Sequence, residues 1–543
     1  MPVDNVTIRV EAVPALTPPL VKRYFKGDSD LTPLYAHTPF DPARPPGSLA
    51  DGRSFDDDLI ERTSKLNRDA GASARSLSNC EKLRDPAVHA VLAGQQPGLM
   101  LGPLFVLYKI VTLVARCRAW ESRSGRSYVP VFWIASHDAD LPEIDHVYLP
   151  GSGGEPEKLR YPWTEIPRQQ LGAYDITEAD WNAFTDTLRE RLPDNEFREH
   201  ALARFAPSRF PASTTLAFAA AVHALLPDAG IVCFDGRDAE TCAAGRSFLA
   251  RTVREPARTL QAWRDGEEAV RSAGMSPPLD LAESRFPLFV VEDDVRQPMT
   301  WNGARFETAA EAFEPEALAN SIENGTRTVS PNAGLRPLLQ DLLFATSATV
   351  AGQSELAYHP QLASLYESAG IERPVLVPRA SLSLVHFRAY DQLADLGLTV
   401  ADLRKPDESA REGAAGDQHA ESRARFMKTI ESAWNSFADE AAAESNASPV
   451  PGADDTTSHF LKAAARAAGK FAKEADRAGE NRSRKIHKLT QDLAPKGTAQ
   501  EFVWSILPFL ARYGPDFAAL VADSLPEDSA EHLMMTVDPR GAS

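Results

Sequence analysis

The chain has 543 residues, which is enough for two or more domains with a large buried core. Its hydrophobic fraction of 43% and charged fraction of 25% are typical of a soluble globular protein. The formal net charge is −18, from 58 Lys and Arg against 76 Asp and Glu, which argues against nonspecific binding to nucleic acid or to an anionic membrane. A local basic pocket for a phosphate or carboxylate is still compatible with this charge.

Targeting and redox signals agree with this class of protein. The four cysteines form no Cys-x-x-Cys pair, which is typical of a reducing compartment. The charged N-terminus has no apolar core of signal-peptide length, and no uncharged stretch is long enough to cross a bilayer. We therefore expect a cytoplasmic protein whose partners are neither membranes nor nucleic acids.

The first part of the chain, to about residue 85, is predicted to be mostly helical with loops. Helical spacing runs from Asp56 to Leu83, whereas Leu31 to Arg53 is rich in Pro, Asp and Gly and should be irregular. We identify little chemistry in this region.

The stretch from Val91 to Asp145 is the most informative part of the chain. It predicts a buried parallel strand, a glycine-containing loop, a mostly buried helix from Pro103, and a second strand from Val129 to Ala135. In open α/β sheets ligands bind at the carboxyl ends of the strands, so both loops are expected at that edge. The candidate binding positions in the first loop and helix are Gln95, Gln96, Gly98, Gly102 and Lys109.

This first loop has two interpretations. Glycines let the backbone approach a ligand closely, and the start of the helix would present free N–H groups and a positive dipole end to an anion. A tight strand-to-helix turn without any ligand explains the glycines equally well. The spacing matches neither the dinucleotide-binding motif nor the P-loop.

The loop after the second strand concentrates ionisable side chains. Four carboxylates and two histidines occur within ten residues, and they are His137, Asp138, Asp140, Glu143, Asp145 and His146. Such a set is suited to binding a metal, to general-base catalysis or to holding an amine. The alternative is a solvated acidic loop that caps the next element.

Further core strands and two insertions follow. Residues 150–225 and 265–325 are predicted as insertions, and Gly230 to Gly236 as a core strand followed by a long helix from about Ala239 to Arg264. Phe286 to Glu307 alternates like a small antiparallel hairpin with Asn302-Gly303 as its turn.

A second informative stretch runs from Ser330 to Arg379. It predicts short strands at Thr346 to Val350 and at Val375 to Val377, with polar residues at their ends. The arginines here are candidates to hold a carboxylate or phosphate by paired hydrogen bonds, or to form structural ion pairs. The candidate ligand-facing residues are Asn332, Arg336, Gln340, Gly352, Glu355, Tyr358 and Arg379.

From about residue 381 the composition predicts a helical domain. Asp417 to Ala447 and Thr456 to Leu493 have the spacing of two long amphipathic helices, joined by a turn at Pro449 to Asp455. They should pack as an antiparallel coiled-coil arm spanning residues 381–496. Residues 497–543 are too apolar for a free tail and should return to the core or to the base of the arm.

Taken in order, these stretches resemble the bacillithiol-biosynthesis cysteine-adding enzyme family, BshC. The matching segments cover nearly the whole length, and they are Ala93-Gly94-Gln95-Gln96-Pro97-Gly98-Leu99, Gly102-Pro103-Leu104, Val131 to Ala135, Leu335 to Asp341, Ala351-Gly352 with Glu355 and Tyr358, Pro378-Arg379, and Arg512 to Pro515. No single motif is decisive, but the ordered set is specific.

The resemblance implies an α/β fold, in which a Rossmann-like doubly wound parallel sheet over residues 1–380 carries connecting-peptide insertions and precedes an α-helical coiled-coil domain. It also implies a homodimer, and a ligase that joins cysteine to the amine of glucosaminyl-malate to give bacillithiol. The core looks like that of nucleotidyl transferases and class I aminoacyl-tRNA synthetases. That relation suggests ATP, with the cysteine carboxylate activated as an adenylate, and no metal site is predicted.

The chain departs from the family pattern at one place. After the tryptophan-containing strand the family has Glu-Asp-His-Asp, whereas this chain has His137-Asp138-Ala139-Asp140. If the family histidine transfers a proton, His137 has to take over that task from another position.

Our main hypothesis is therefore a ligase with His137, Asp138 and Asp140 as catalytic residues that bind and deprotonate the amine. The glutamines and the helix at Pro103 would face a phosphate or carboxylate, and Arg336 or Arg379 would hold the malate carboxylates or the adenylate. One alternative is a non-catalytic binding or scaffold protein with a nucleotide-type pocket. Another is a metal-dependent hydrolase that uses the His137 cluster, although its spacing matches no standard zinc pattern.

Overall fold

The computed structural model describes residues 7–28, 34–36, 41, 44–46, 57–282, 285–404, 419–445, 452–526 and 531–538. The chain divides into two compact units. One unit comprises Met1–Phe387 with Thr498–Ser543, and the other comprises Arg388–Gly497.

Strands and helices alternate along most of the first unit. Within the described residues the strands are β1 (Thr7–Ala12), β2 (His89–Gln95), β3 (Tyr128–Ile134), β4 (His146–Pro150), β5 (Pro156–Arg160), β6 (Asp175–Ile176), β7 (Ala212–Ser213), β8 (Val232–Asp235), β9 (Arg285–Glu292), β10 (Val295–Trp301), β11 (Phe306–Glu307), β12 (Ala312–Phe313), β13 (Thr328–Pro331), β14 (Ala348–Ala351), β15 (Val375–Pro378), β16 (Ser381–His386) and β17 (His532–Asp538). The α-helices in the same ranges are α1 (Pro19–Lys26), α2 (Asp57–Asp69), α3 (Ala74–Lys82), α4 (Leu104–Ser124), α5 (Leu141–Ile144), α6 (Glu178–Arg191), α7 (Arg198–Ala203), α8 (Thr214–Leu225), α9 (Asp238–Thr241), α10 (Ala243–Arg254), α11 (Pro256–Ser272), α12 (Pro315–Glu323), α13 (Leu335–Phe344), α14 (Gln353–Tyr358), α15 (Ala363–Ala369), α16 (Phe387–Leu396), α17 (Ala420–Ser445), α18 (Ala453–Leu493), α19 (Leu507–Tyr513) and α20 (Phe517–Asp523).

The central sheet of the first unit is parallel throughout and has the spatial order β8-β3-β2-β14-β15. This is the 3-2-1-4-5 order of a Rossmann-like doubly wound sheet, with its topological switch point between β2 and β14. The prediction of a Rossmann-like core is confirmed. The carboxyl ends of β2 and β14 therefore form the crevice in which such folds bind ligands.

Alternating residues of the core strands supply two separate hydrophobic clusters, one on each face of the sheet. Val91 and Phe132 belong to the cluster that contains α4, whereas Leu92 and Trp133 belong to the cluster that contains α10 and α13. A shift of one residue in register would exchange the two sets, so burial on both faces fixes the register. The apolar runs of β2 and β3 follow from this two-sided burial.

A second, antiparallel sheet lies within the predicted 265–325 insertion and continues into β13, in the order β12-β11-β10-β9-β13. The Phe286 to Glu307 prediction was right about antiparallel strands but wrong about the main turn. Asp293 and Asp294, both with positive φ (48° and 62°), form the turn between β9 and β10. Asn302-Gly303 instead joins β10 to the short β11.

Chain-end strands form a third sheet, ordered β1-β17-β16. β1 lies in a region predicted to be mostly helical, and β16 lies where the helical arm was predicted to begin. Both strands were missed because each is short and its pairing partner, β17, is remote in the sequence. Thr498–Ser543 is part of the first unit.

The predicted long helix from Ala239 to Arg264 is wrong, because the chain forms α9, α10 and α11 there. Cys242 caps the start of α10 by accepting a hydrogen bond from the Gly245 N–H. Pro256 opens α11, because proline cannot continue a helix but suits its first turn.

The second unit contains the two predicted long helices, α17 and α18. The rings of Trp434 and Phe460 are stacked with centroids 4.3 Å apart, and His419 Nε2 lies 3.4 Å from Asp476 Oδ1. Contacts of later α17 residues with earlier α18 residues show that the helices are antiparallel. This confirms the coiled-coil prediction. Of the predicted turn, residues 449–451 lie outside the described residues and residues 453–455 already belong to α18, and most of Leu31 to Arg53 also lies outside the described residues.

The free edge of the central sheet is capped by a side chain. Asn67 of α2 is fully buried, donates from Nδ2 to the Cys233 carbonyl (2.7 Å), and accepts from the Cys233 N–H at Oδ1 (2.9 Å). Its Oδ1 also lies 2.9 Å from Nε2 of His223, whose pKa burial lowers to about 4. Asn67 thus satisfies both backbone hydrogen-bonding groups of Cys233 on β8, as a neighbouring strand would.

We expect Asn67→Ala to lower the free energy of unfolding by about 3 kcal/mol, because both backbone groups of Cys233 lose their partner in a buried site. Urea denaturation followed by circular dichroism measures the change. The exposed Asn182→Ala on α6 is the matched control and should change stability by less than about 0.5 kcal/mol. Equal midpoints for the two variants would contradict the role assigned to Asn67.

Candidate active site

A cavity of about 570 Å³ opens at the carboxyl ends of β2, β3 and β14, at the switch point of the sheet. Both informative stretches of the sequence and the inserted antiparallel sheet contribute to its wall. The lining residues are Gly94, Gln95, Gln96, Phe105, Lys109, Trp133, Ala135, His137, Asp138, Arg296, Pro331, Asn332, Ala333, Arg336, Gly352, Gln353, Ser354, Glu355, Tyr358, Arg379 and Phe502.

Lys109 joins the two sides of the switch point. Its ammonium group lies 2.6 Å from Glu355 Oε2 and donates to the Gly94 carbonyl (2.7 Å) and to Gln95 Oε1 (3.0 Å). Three acceptors use all three N–H donors of a side chain that is only 4% exposed. Burial lowers the pKa of Lys109 and the Glu355 carboxylate opposes that shift, so we assign an ionised pair.

Glu355 holds the other end of this pair at the start of α14. Its Oε2 also accepts from the Gly352 N–H at 2.7 Å. Burial alone would raise the pKa of Glu355, but Lys109 and Arg336 together lower it. The carboxylate is therefore charged and closes the first turn of the helix.

A chain of hydrogen bonds continues from Lys109 along the cavity wall. Gln95 Nε2 donates to Gln96 Oε1 (2.9 Å), and Gln96 Nε2 donates to Asp138 Oδ2 (2.9 Å) and to Glu143. Asp138 Oδ1 then accepts from Arg296 Nη1 at 3.3 Å. The side chains of β2, the loop after β3 and the inserted sheet are thereby fixed relative to one another.

Arg336 is the cation most available to a ligand. Its guanidinium donates to Gln340 Oε1 and to the Tyr358 hydroxyl, both at 3.0 Å. It lies within salt-bridge distance of no carboxylate among the residues described, unlike Lys109, Arg296 and Arg379. Arginine binds carboxylate and phosphate groups strongly through charge-assisted hydrogen bonds.

Arg379 has the opposite character. Its Nη1 and Nη2 bind the two carboxylate oxygens of Glu501 at 2.8 and 3.1 Å, and both side chains are buried. The rings of Phe105 and Phe502 each have their centroid 5.6 Å from the guanidinium carbon, and the two centroids are 5.8 Å apart. Of the two interpretations offered by the sequence, the structural ion pair describes this arginine.

His137 is buried (4% exposed) at the floor of the cavity, and its Nδ1 has no hydrogen-bond partner among the described residues. Burial, followed by the charges of Arg296, Arg336 and Arg237, lowers its pKa well below the ordinary value. The ring is therefore neutral at physiological pH. A neutral imidazole can accept a proton or a hydrogen bond from a substrate.

Most of the predicted site residues line this one cavity. Four do not, and they are Gly98, Gly102, Asp140 and Gln340. At the helix start, the first N–H of α4, on Leu104, donates to the Trp504 carbonyl (2.7 Å) and is therefore not open to an anion. Asp140 is exposed, and Gln340 lies behind Arg336 and orients it.

Sequence reasoning missed residues that come from outside the two informative stretches. Arg296 lies on β10, 158 residues after Asp138, and the alternating pattern of that segment predicted only a hairpin. Phe105, Phe502 and Glu501 were read as core or tail residues. No local signal separates them from other buried side chains.

The ionisable loop is dispersed into separate pairs. Asp145 pairs with Arg160 and, at 2.9 Å, with His146 Nδ1, while Asp138 binds Gln96 and Arg296. Across the parts of the chain that the structure describes, no group of three or more His, Cys, Asp and Glu is arranged to hold a metal ion. The geometry gives the metal-dependent hydrolase no support.

We expect Lys109→Met to lower the free energy of unfolding by about 3 kcal/mol, because it leaves the Glu355 carboxylate in a largely buried site without its counter-charge. The double variant with Glu355→Gln should recover most of this loss, since neither charge remains. Chemical denaturation measures both. Lys65→Met, which breaks an exposed pair with Asp69, is the control and should cost less than about 1 kcal/mol.

Comparison with known families covers nearly the whole chain. The model for the bacillithiol biosynthesis BshC N-terminal Rossmann-like domain matches residues 1–380. The model for the BshC C-terminal coiled-coil domain matches residues 383–537. None of the helices in the described ranges combines the length and apolar character needed to span a bilayer.

The curated relatives include proteins named "Putative cysteine ligase BshC". The protein of Geobacillus kaustophilus is 28% identical over 86% of this chain and 88% of its own length. The proteins of Geobacillus thermodenitrificans (29%, covering 84% and 86%) and Salinibacter ruber (28%, covering 90% and 89%) are similar to a comparable extent. With both family models matched in order along the fold and cavity described above, the chain belongs to the BshC family of bacillithiol biosynthesis.

Proposed function

We propose that the protein is a carbon–nitrogen-bond-forming ligase that joins the cysteine carboxylate to the amine of glucosaminyl-malate within the switch-point cavity. The observation that carries this proposal is that one cavity holds both Arg336, which has no carboxylate within salt-bridge distance among the described residues, and His137, a neutral buried base. The names of the relatives support the cysteine substrate.

Two arginines of the cavity suit two different substrates. Arg296 lies 3.3 Å from Asp138 and Arg336 lies 3.0 Å from the Tyr358 hydroxyl, and all four residues line the cavity. In the proposal, Arg296 holds the malate carboxylates and Arg336 holds the activated carboxyl group. The charges of both arginines act on His137, which lines the same cavity.

The bond-forming step needs a free amine. Asp138 and Gln96 orient the amine by hydrogen bonds, its nitrogen attacks the cysteine carbonyl carbon, and the bond to the leaving group breaks. His137 accepts the proton that the nitrogen releases. Positioning of this kind, together with stabilised charge, contributes several kcal/mol, on the order of 10²- to 10⁴-fold in rate for the proton transfer alone.

ATP is the proposed co-substrate. When bound, it would supply the leaving group that makes the cysteine carboxyl reactive. Gly94, Gly352 and Arg336 line the cavity at the switch point of the sheet, where folds of this class bind nucleotides, and they would hold its phosphates.

We expect purified protein to consume glucosaminyl-malate in the presence of cysteine and ATP, with Arg336→Met lowering kcat/KM by about tenfold to a hundredfold through loss of a charged hydrogen bond. Mass spectrometry of the thiol product measures this rate. Arg305→Met, which removes an exposed arginine of the inserted sheet, is the matched control and should match the wild type. No turnover with any nucleotide or activated cysteine donor would overturn the proposed reaction.

The proposal also includes a homodimer formed through the second unit. Phe437 and Phe471 are 60% and 74% exposed, and each follows another exposed phenylalanine, Phe426 or Phe460, by eleven residues. Eleven residues are about three helical turns, so each pair lies on one side of its helix. Apolar stripes of this kind on long helices mark protein–protein contacts.

We expect the double variant Phe437→Ser and Phe471→Ser to weaken self-association by at least about tenfold, because it removes the two most exposed apolar side chains of the stripe. Analytical ultracentrifugation over a concentration series measures the dissociation constant. Glu440→Ser with Lys470→Ser, at exposed polar positions of the same helices, is the control. A wild-type chain that sediments as a monomer at every concentration would refute the dimer.

A further inference from the structure

Glu240 is a buried carboxyl that the proposed reaction does not use. It lies on α9 and is 2% exposed, and its Oε2 accepts from Gln170 Nε2 at 3.0 Å. Its Oε1 finds no hydrogen-bond partner in the part of the chain that is described. A carboxylate without a full set of partners is costly in such a position, so this group needs an explanation.

The polar groups around Glu240 connect it to the cavity. The charge of Arg296 acts on its carboxyl, and the Ser330 hydroxyl lies beside it. Arg296 Nε and Ser330 Oγ are themselves buried without a completed hydrogen bond among the described residues. The elements that carry these groups pack together, because α9 packs against β13, which contains Ser330, and Arg296 donates to the carbonyl of the next residue, Pro331.

Arg296 cannot simply turn towards Glu240. Its Nη1 binds Asp138 (3.3 Å), its Nη2 binds the Pro331 carbonyl (2.8 Å), and its guanidinium lies 4.0 Å from the Phe289 ring centroid. The guanidinium is therefore held in place where it lines the cavity. Because Arg296 keeps its position, a change in the charge of Glu240 changes the net positive charge that Arg296 presents to the cavity.

Other charged groups on the elements packed against α9 have different partners. Arg62 of α2 binds Asp238 and Thr241, Arg246 of α10 binds the Thr241 carbonyl, and Asp341 of α13 binds Tyr366. Asp235, at the end of β8, adds a second negative charge near Glu240 and is itself paired with Arg237. Arg296 is the cation that Glu240 shares with the substrate cavity.

We propose that Glu240 is a positioning residue whose proton occupancy sets how much positive charge Arg296 presents to an anionic substrate group. The inference rests on the proposed function, because it takes the dicarboxylate end of glucosaminyl-malate as that group. Glu240 does not touch the substrate. It acts through Arg296.

The direction of the pH effect follows from burial. Burial raises the pKa of Glu240 to about 7, so its charge changes in the neutral range. Above that pH the carboxylate offsets Arg296 and repels an anion, whereas below it the neutral acid leaves the guanidinium charge available. Affinity for a dicarboxylate therefore falls as pH rises through about 7, and binding of the dicarboxylate takes up a proton.

Calorimetric titration of the full chain with L-malate tests this without relying on turnover. From about pH 6 to about pH 8.5 the wild-type Kd should rise by about tenfold, the scale expected for one partly screened charge. Glu240→Gln should keep the low-pH Kd throughout. Asp238→Asn is the matched control, because Asp238 lies on the same helix and has a pKa raised by burial to about 6, but it pairs with Arg62.

Proton uptake separates this role from a merely structural one. Titrations near neutral pH in buffers of different ionisation enthalpy should show proton uptake on malate binding in the wild type and in Asp238→Asn. The uptake should fall in Glu240→Gln, and in an Arg296→Met background the Glu240→Gln change should have no further effect on Kd. His137 stays neutral in this pH range, because its pKa is lowered well below the ordinary value.

Three results would overturn the inference. They are a wild-type Kd that does not change with pH, a Glu240→Gln variant with the wild-type pH dependence, and no malate binding at any pH. Loss of ligase activity in the assay above, with the Glu240-dependent malate binding intact, would instead refute only the proposed reaction.

Discussion

A buried ammonium group at the switch point is the constraint on which the site depends. Lys109 comes from α4. Two of its acceptors, the Gly94 carbonyl and Gln95 Oε1, belong to β2, and the third, Glu355, belongs to the first turn of α14. A buried charge must be fully paired and hydrogen-bonded, so these segments cannot move apart without a large cost. The same ammonium fixes Gln95, and through it the hydrogen-bond chain to Gln96 and Asp138.

The inserted antiparallel sheet completes this wall and changes its charge. A protein with a net charge of −18 repels small anions at long range, yet its cavity contains the two cations Arg296 and Arg336. The first arginine is shared with Asp138 and influenced by Glu240, whereas the second has no carboxylate within salt-bridge distance among the described residues. The two arginines therefore differ in how far nearby carboxylates neutralise them, and in the proposed reaction each binds a different anionic group.

Particular elements show how much of the fold the local sequence pattern predicts. The apolar runs of β2 and β3 predicted a parallel sheet because both faces are covered, and the polar residues after those strands met in one cavity as expected. The prediction of one helix over Ala239 to Arg264 was wrong, because the cap at Cys242 and the proline at Pro256 divide this segment into separate helices. The strands β1 and β16 were not predicted, because neither segment carries a local signal of its pairing with β17.

The sequence by itself determined the family, the Rossmann-like core, the coiled-coil helices and the set of strand-end residues from which a site is built. Only the tertiary structure decided which of those residues are free to bind. Arg336 and Arg379 look alike in the sequence, but Glu501, 122 residues after Arg379, neutralises that arginine and leaves the other open. Local periodicity reports which face of an element is buried, whereas the charge left at a site depends on partners that only folding brings together.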